Sequence, residues 1–183
     1  MQETVEQYIA RMTGNVGDQD PRAILQSTPA HLRSLISSAT PAQLTFTTSP
    51  TRWTITQIVA HLSDAEIVGA WRFRRVLEEN NVPLQAYDQG VWADSFGYPE
   101  RPPLESVTLF EALRRSTLRT LDAADPSRLQ HVGMHSERGP ESIAQLMIMY
   151  AGHDINHLKQ IEKLLEESRN ASTGASATAG SAG

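Results

Sequence analysis

Residues 142–168 read SIAQLMIMYAGHDINHLKQIEKLLEES. Ser142 with Gln145 three residues on is a capping-box start, placed just after the chain-breaking pair Gly139-Pro140. From there Ile143, Leu146, Tyr150, Ile161, Leu164 and Leu165 recur at helical period, which predicts one long helix to about Ser168. His153 and His157 are spaced i, i+4. At about 100° per residue both imidazoles share a face, one turn apart. Leu146, Tyr150, Ile161 and Leu164 fall on the same arc, so the pair points into a core and not into water. Buried polar groups without partners cost roughly 1–3 kcal/mol each. A metal ion would satisfy both rings together.

Three further long helical patterns precede this one. The first runs from about Pro21 to Ala39 on Ile24, Leu25, Leu32, Leu35 and Ile36, with Asp18 to Asp20 leading into a proline suited to a first turn. The second starts at a Thr54/Gln57 capping box, with Trp53 placed to staple against Ile58. It continues through Ile58, Leu62, Ala65, Gly69, Phe73 and Val76 to about Asn80. The third covers about Leu104 to Ala123. A short extra helix on Val5, Tyr8, Ile9 and Met12 is expected to end near Gly14. Strand patterns are scarce: the alternating stretch at Leu44 to Thr48 is too short for a sheet of its own. Four amphipathic helices of similar length bury their stripes against one another, which predicts an all-α four-helix bundle over residues 1–168. Residues 169–183 are almost wholly Ala, Ser, Thr and Gly and are expected to form a disordered tail. The segments at 41–53, 82–103 and 125–140 are longer than bundle loops need to be; such loops usually carry function or cover a pocket.

The chain has 183 residues, 39% hydrophobic and 20% charged, room for one domain. Its 16 basic and 21 acidic residues give a formal charge of −5, which argues against a nucleic-acid partner. The start lacks a basic region followed by an apolar stretch, and no window approaches a membrane span, so a soluble cytoplasmic protein with no membrane partner is expected. Cysteine is absent. That removes disulfides, thiolate metal sites and a cysteine nucleophile, and leaves six histidines as transition-metal ligands.

A third ligand should come from another helix, and His61 is the best placed, because Ile58, Ala65 and Val76 share its side. A lone histidine on an apolar face is more often a hydrogen-bonded core residue; three from two inward faces favour a metal. His-Asp-Ile-Asn-His at 153–157 resembles the His-Glu-x-x-His zinc-peptidase motif, but an aspartate stands at the catalytic glutamate position. Asp64 either orients a ligand from behind or is a solvated helix carboxylate. Arg72 lies nearly on the face of His61; it either anchors an anionic substrate or snorkels out of the bundle. Glu66 points away from His61 and is expected to be structural or exposed. Tyr87 and Trp92 either pack down their loop or wall a pocket. His31 is expected at the surface. His131 and His135 sit in a loop whose direction nothing fixes.

These residues resemble the DinB-like superfamily, and within it the YfiT-like branch of metal-dependent hydrolases and bacillithiol transferases. The likeness rests on three segments. They are Trp53 to Asp64, ending in His-Leu-x-Asp and followed by Arg72-Phe73; Tyr87-Asp88 with Trp92; and His153-x-x-x-His157-Leu158-x-Gln160-Ile161. It spans about Pro21 to Glu166. The resemblance implies an up-down-down-up bundle, often a homodimer, and one divalent metal, zinc or nickel, held by His61, His153 and His157. It also implies a thiol S-transferase or a hydrolase. The partners would be a low-molecular-weight thiol and an electrophilic small molecule, and the nucleophile a metal-bound thiolate or hydroxide. The alternative is a noncatalytic metal-binding or stress-associated bundle.

Overall fold

The computed structural model describes residues 3–179. Seven helices are present among them: α1 (Val5–Val16), α2 (Pro21–Ser38), α3 (Pro41–Leu44), α4 (Ile55–Glu78), α5 (Gln89–Ser95), α6 (Pro103–Ala123) and α7 (Ile143–Ala179). Three short strands join them: β1 (Val82–Leu84), β2 (Val132–His135) and β3 (Gly139–Ser142).

Three of the four long helices start at a side-chain cap, and α6 starts at the Pro102-Pro103 pair. Asp20 caps α2 through the Arg22 N–H. Thr54 and Gln57 exchange side-chain and backbone bonds at the start of α4. Ser142 and Gln145 do the same at α7. These bonds satisfy N–H groups that a helix start leaves without internal partners. The helix expected to end near Gly14 continues to Val16 and closes at Gly17. The tail expected over 169–183 falls at the far end of α7, and residues 180–183 lie outside the described ones. No helix among the described residues is long and apolar enough to cross a membrane.

Two apolar clusters fix the helix directions. One joins Ile24 and Leu25 of α2, Phe73 to Leu77 of α4, Leu121 of α6, and Ile143, Leu146 and Tyr150 of α7. The other joins Leu32 and Ile36, then Ile55, Ile58, Val59 and Leu62, then Val107 and Phe110, then Leu158, Ile161, Leu164 and Leu165. So α2 and α7 run from the first cluster to the second, and α4 and α6 run the opposite way. The course is up, down, down, up. Since α4 and α6 are parallel neighbours, the chain must cross the length of the bundle between them. Residues 79–102 make that crossover.

The sheet anchors the start of the crossover. β1 pairs in parallel with β2, Val82 opposite Gly133 and Leu84 opposite His135. β2 pairs antiparallel with β3, which runs straight into α7. Gly139 opens β3 at φ +78°, a backbone region that other residues rarely enter. These strands depart from the helical expectation. The alternating stretch at Leu44 to Thr48, too short for a sheet, forms no strand; Leu44 ends the single turn of α3. Asp64 anchors the far end of the crossover: it accepts the Tyr98 hydroxyl at 3.0 Å and the Arg101 guanidinium at 2.7 Å.

Candidate metal centre

His61 of α4 meets His153 and His157 of α7 where the two helices face each other. One ring nitrogen from each lies within 4.8 Å of the others. His61 Nε2 and His153 Nε2 are 2.9 Å apart, and the ring centroids are 4.5–5.0 Å apart. His61 and His157 are buried and His153 partly so. The inward faces read from the helical period therefore bring these three residues together.

The electrostatics suit a cation. Burial holds all three rings below the ordinary histidine range, His61 at about 3 and His157 at about 4, with His153 well below as well. For His61 and His153 the neighbouring histidines push the same way; for His157 Arg11 does, while Gln160 opposes. All three are neutral at pH 7, with lone pairs free for coordination. His157 Nδ1 lies 3.0 Å from Gln160 Oε1, an acceptor, so it carries the proton and leaves Nε2 as the ligand atom. His61 Nδ1 is buried without a hydrogen-bond partner, and the Trp53 ring lies 5.1 Å from the imidazole. At 2.9 Å the two Nε2 atoms either share one N–H or turn both lone pairs to a common ion, and an ion would be taken with Nδ1 of His61 as its protonated nitrogen.

The neighbouring acids are occupied elsewhere. Both Asp64 oxygens serve Tyr98 and Arg101, so Asp64 orients no histidine. Asp154 is turned away to Arg114, at 2.6 Å and 3.1 Å. Glu66 is buried on the same guanidinium, at 2.8 Å and 3.0 Å, so the exposed alternative for it does not hold.

Beside the triad lies a cavity of about 550 Å³. Tyr8 of α1, Arg72 of α4, Tyr87, His135, Tyr150 and His153 stand in its wall. Arg72 does not snorkel: it is 4% exposed and donates to the Gln85 carbonyl at 2.6 Å. Tyr87 stacks on Trp92 with centroids 4.5 Å apart, and Trp92 backs the Ala60, Ala93 and Tyr98 cluster. Of that aromatic pair, Tyr87 reaches the cavity. His31 is half exposed beside Glu162, and His131 meets the Val76 carbonyl at 3.0 Å. Of the two loop histidines whose direction the sequence left open, His135 is the one in the cavity wall. The signal for it was faint: a four-residue strand ahead of Gly139-Pro140.

Comparison with known proteins agrees with this architecture. The DinB superfamily profile matches residues 24–161, a span that holds all three histidines. A candidate metal-dependent hydrolase of Halalkalibacterium halodurans is 28% identical over 137 residues, covering 75% of this chain and 80% of that protein. The candidate metal-dependent hydrolase YfiT of Bacillus subtilis is 25% identical over 144 residues, covering 76% and 81%. The solved structure of Bacillus subtilis YfiT, described as a probable metal-dependent hydrolase with an unusual four-helix bundle topology, matches with a TM-score of 0.73. That match is 20% identical and covers 91% of this chain and 90% of the other, and it speaks for the fold. The four helices, their up-down-down-up course and the matched span agree: this chain belongs to the DinB superfamily.

Proposed function

We propose that the chain is a metal-dependent enzyme whose metal is held by His61, His153 and His157. The observation that carries this reading is the convergence of three neutral ring nitrogens within 4.8 Å of one another, with His153 also in a cavity wall. The donor set suits zinc or nickel, which imidazole binds well. Among the described residues no fourth histidine or carboxylate joins the group. A structural ion would be expected to have its site closed by such a ligand, so this favours catalysis over the noncatalytic reading. Held by neutral ligands, a divalent ion keeps its charge and supplies Lewis acidity, acidifying a coordinated water or thiol near neutral pH.

The chain's own residues do the rest. Gln160 fixes the tautomer of His157. Burial keeps the rings unprotonated. Arg11 of α1 reaches Asn156 of α7 at 2.6 Å and holds α1 across the triad's outer side. Tyr8, Tyr87 and Tyr150 give the cavity aromatic walls. Hydrolysis is the activity for which the relatives are named. Transfer of a low-molecular-weight thiol to an electrophile would use the same site. It is supported by the resemblance and by the absence of any cysteine that could compete for the metal.

Metal analysis of the purified chain tests the reading. About one divalent ion per chain is expected, and His153→Ala should lose most of it. Chelation should lower the melting temperature. An ion present at a hundred times its Kd stabilises by about 2.7 kcal/mol, or roughly 5–10 °C for a chain of this size. Unchanged metal content in His153→Ala overturns the ligand assignment. Reactivity separates the two chemistries: ester and amide substrates on one side, and bacillithiol, mycothiol or glutathione with a chlorinated or epoxide electrophile on the other.

A further inference from the structure

Two buried arginines differ in one respect. Arg114, 2% exposed, meets Glu66, Asp154 and the Leu25 carbonyl. Arg72, 4% exposed, meets the Gln85 carbonyl, its Nε–H has no partner, and among the described residues no carboxylate lies within 4.0 Å of its guanidinium. Of the acids in and beside the wall, Glu137 is exposed to solvent and the other two are engaged. Glu141 forms a two-bond pair with Arg138, at 2.7 Å and 3.0 Å. Asp88 accepts the Gly90 and Val91 N–H groups at the start of α5. Burying a charge without a counter-ion is costly, and a protein keeps such a group where something else supplies the opposite charge.

His135 shares the cavity wall with Arg72. It is 4% exposed, and its Nδ1 accepts the Glu137 and Arg138 backbone N–H groups at 3.2 and 3.3 Å. Nδ1 is therefore the acceptor nitrogen, and the proton of the neutral ring sits on Nε2. His135 Nε2 has no partner either. Two wall residues thus each carry a buried donor, Arg72 Nε–H and His135 Nε2–H, with nothing among the described residues to accept from it.

We propose that Arg72 and His135 form a recognition subsite for an oxyanion, the carboxylate or phosphate of a small substrate whose apolar body lies along Tyr8, Tyr87 and Tyr150 and whose reacting end lies at His153. Only the last clause rests on the metal reading. One oxygen takes the Arg72 donor and another takes His135 Nε2–H. The anion also supplies the charge that Arg72 lacks, and such charge-assisted bonds are the strong ones.

Calorimetry on the full chain, freed of metal by chelation at pH 7.5, tests this. Benzoate and phenyl phosphate are compared with benzamide, a neutral molecule of similar shape. At least one anion should bind roughly tenfold or more tightly than benzamide, and the stronger of the two identifies the headgroup. Arg72→Met should abolish the preference, and His135→Phe should weaken it. Arg72→Met should also melt no lower than the wild type, since it removes an uncompensated buried charge, and the anion should no longer raise its melting temperature. Equal binding of anions and benzamide overturns the proposal. So does a preference that survives in Arg72→Met, or a large drop in that variant's melting temperature, which would assign Arg72 to holding Gln85. Arg72→Lys and His135→Phe give a second test: an undiminished preference in both overturns the subsite. Because the titration uses metal-free protein, failure here leaves the triad reading standing, and failure of the triad reading leaves the subsite standing.

Discussion

Asp154 follows His153 directly, yet its carboxylate leaves α7 on a different face, bound to Arg114. Helical period explains this: a step of one residue turns the side chain by about 100°. The ion pair with Arg114 argues against the zinc-peptidase reading, since it occupies both oxygens of the residue at the glutamate position. The Glu66, Arg114 and Asp154 group ties α4, α6 and α7 together behind the triad. Burial pushes the Glu66 carboxyl up even with Arg114 beside it. Arg114→Met would leave two buried carboxylates without a cation. Loss of one partner of a buried pair costs about 3–5 kcal/mol. Urea unfolding should show a loss of that size, and adding Glu66→Gln and Asp154→Asn should recover much of it. A loss below about 1 kcal/mol, the value of an exposed pair, would show that the group contributes little.

Among the elements, α1 depends on one residue of α7. A Cβ built on Gly152 would lie 2.2 Å from the Met12 carbonyl oxygen. That contact is with backbone and no side-chain rotation relieves it. Asn15 seals the same approach by donating to the Gly152 carbonyl at 3.2 Å. In an open helix Gly→Ala stabilises by up to about 1 kcal/mol. Here the sign should reverse: Gly152→Ala should cost about 1–3 kcal/mol as overpacking. Hydrogen exchange should show α1 losing protection before α4 or α7 does, and a stabilised variant with α1 protection intact would refute the account. The long helices were legible because caps and apolar period agree, as at Thr54, Gln57 and Ile58. The strands were not. Val82–Leu84 has three residues, and its partner Gly133 lies some fifty residues away, so no local pattern announces the pairing. His135 owes its place to that pairing, which is why half of the proposed anion subsite escaped the sequence while the inward-facing histidines did not.

At the scale of the whole molecule, the parallel α4 and α6 force a crossover, and the crossover with its sheet walls a cavity against the triad. The arrangement buries histidines in neutral form, and that has a consequence for stability against pH. Burial, helped by Arg138 and Arg72 and opposed by Glu141, lowers His135 from 6.5 to about 4. In the unfolded chain the ring takes a proton near pH 6.5; in the folded chain it does so near 4. Between those values the unfolded state binds more protons, so stability falls as the pH falls, and above about 6.5 this contribution is constant. Solvent at the cavity mouth screens part of the effect, leaving on the order of 2 kcal/mol from His135. In the metal-free protein the triad histidines add with the same sign, because each is also held below its ordinary range. Urea unfolding of chelated protein at pH 7.5, 6 and 5 should show a progressive loss, smaller in His135→Phe, which has no proton to gain. Loading the metal before the acid series should raise the stability at every pH but leave the fall between about pH 6.5 and 5 in place, since the unfolded rings still take their protons there and the coordinated rings, like the metal-free ones, do not. A fall that is steeper with metal than without it would show the metal-free rings taking protons in this range, against their burial in neutral form.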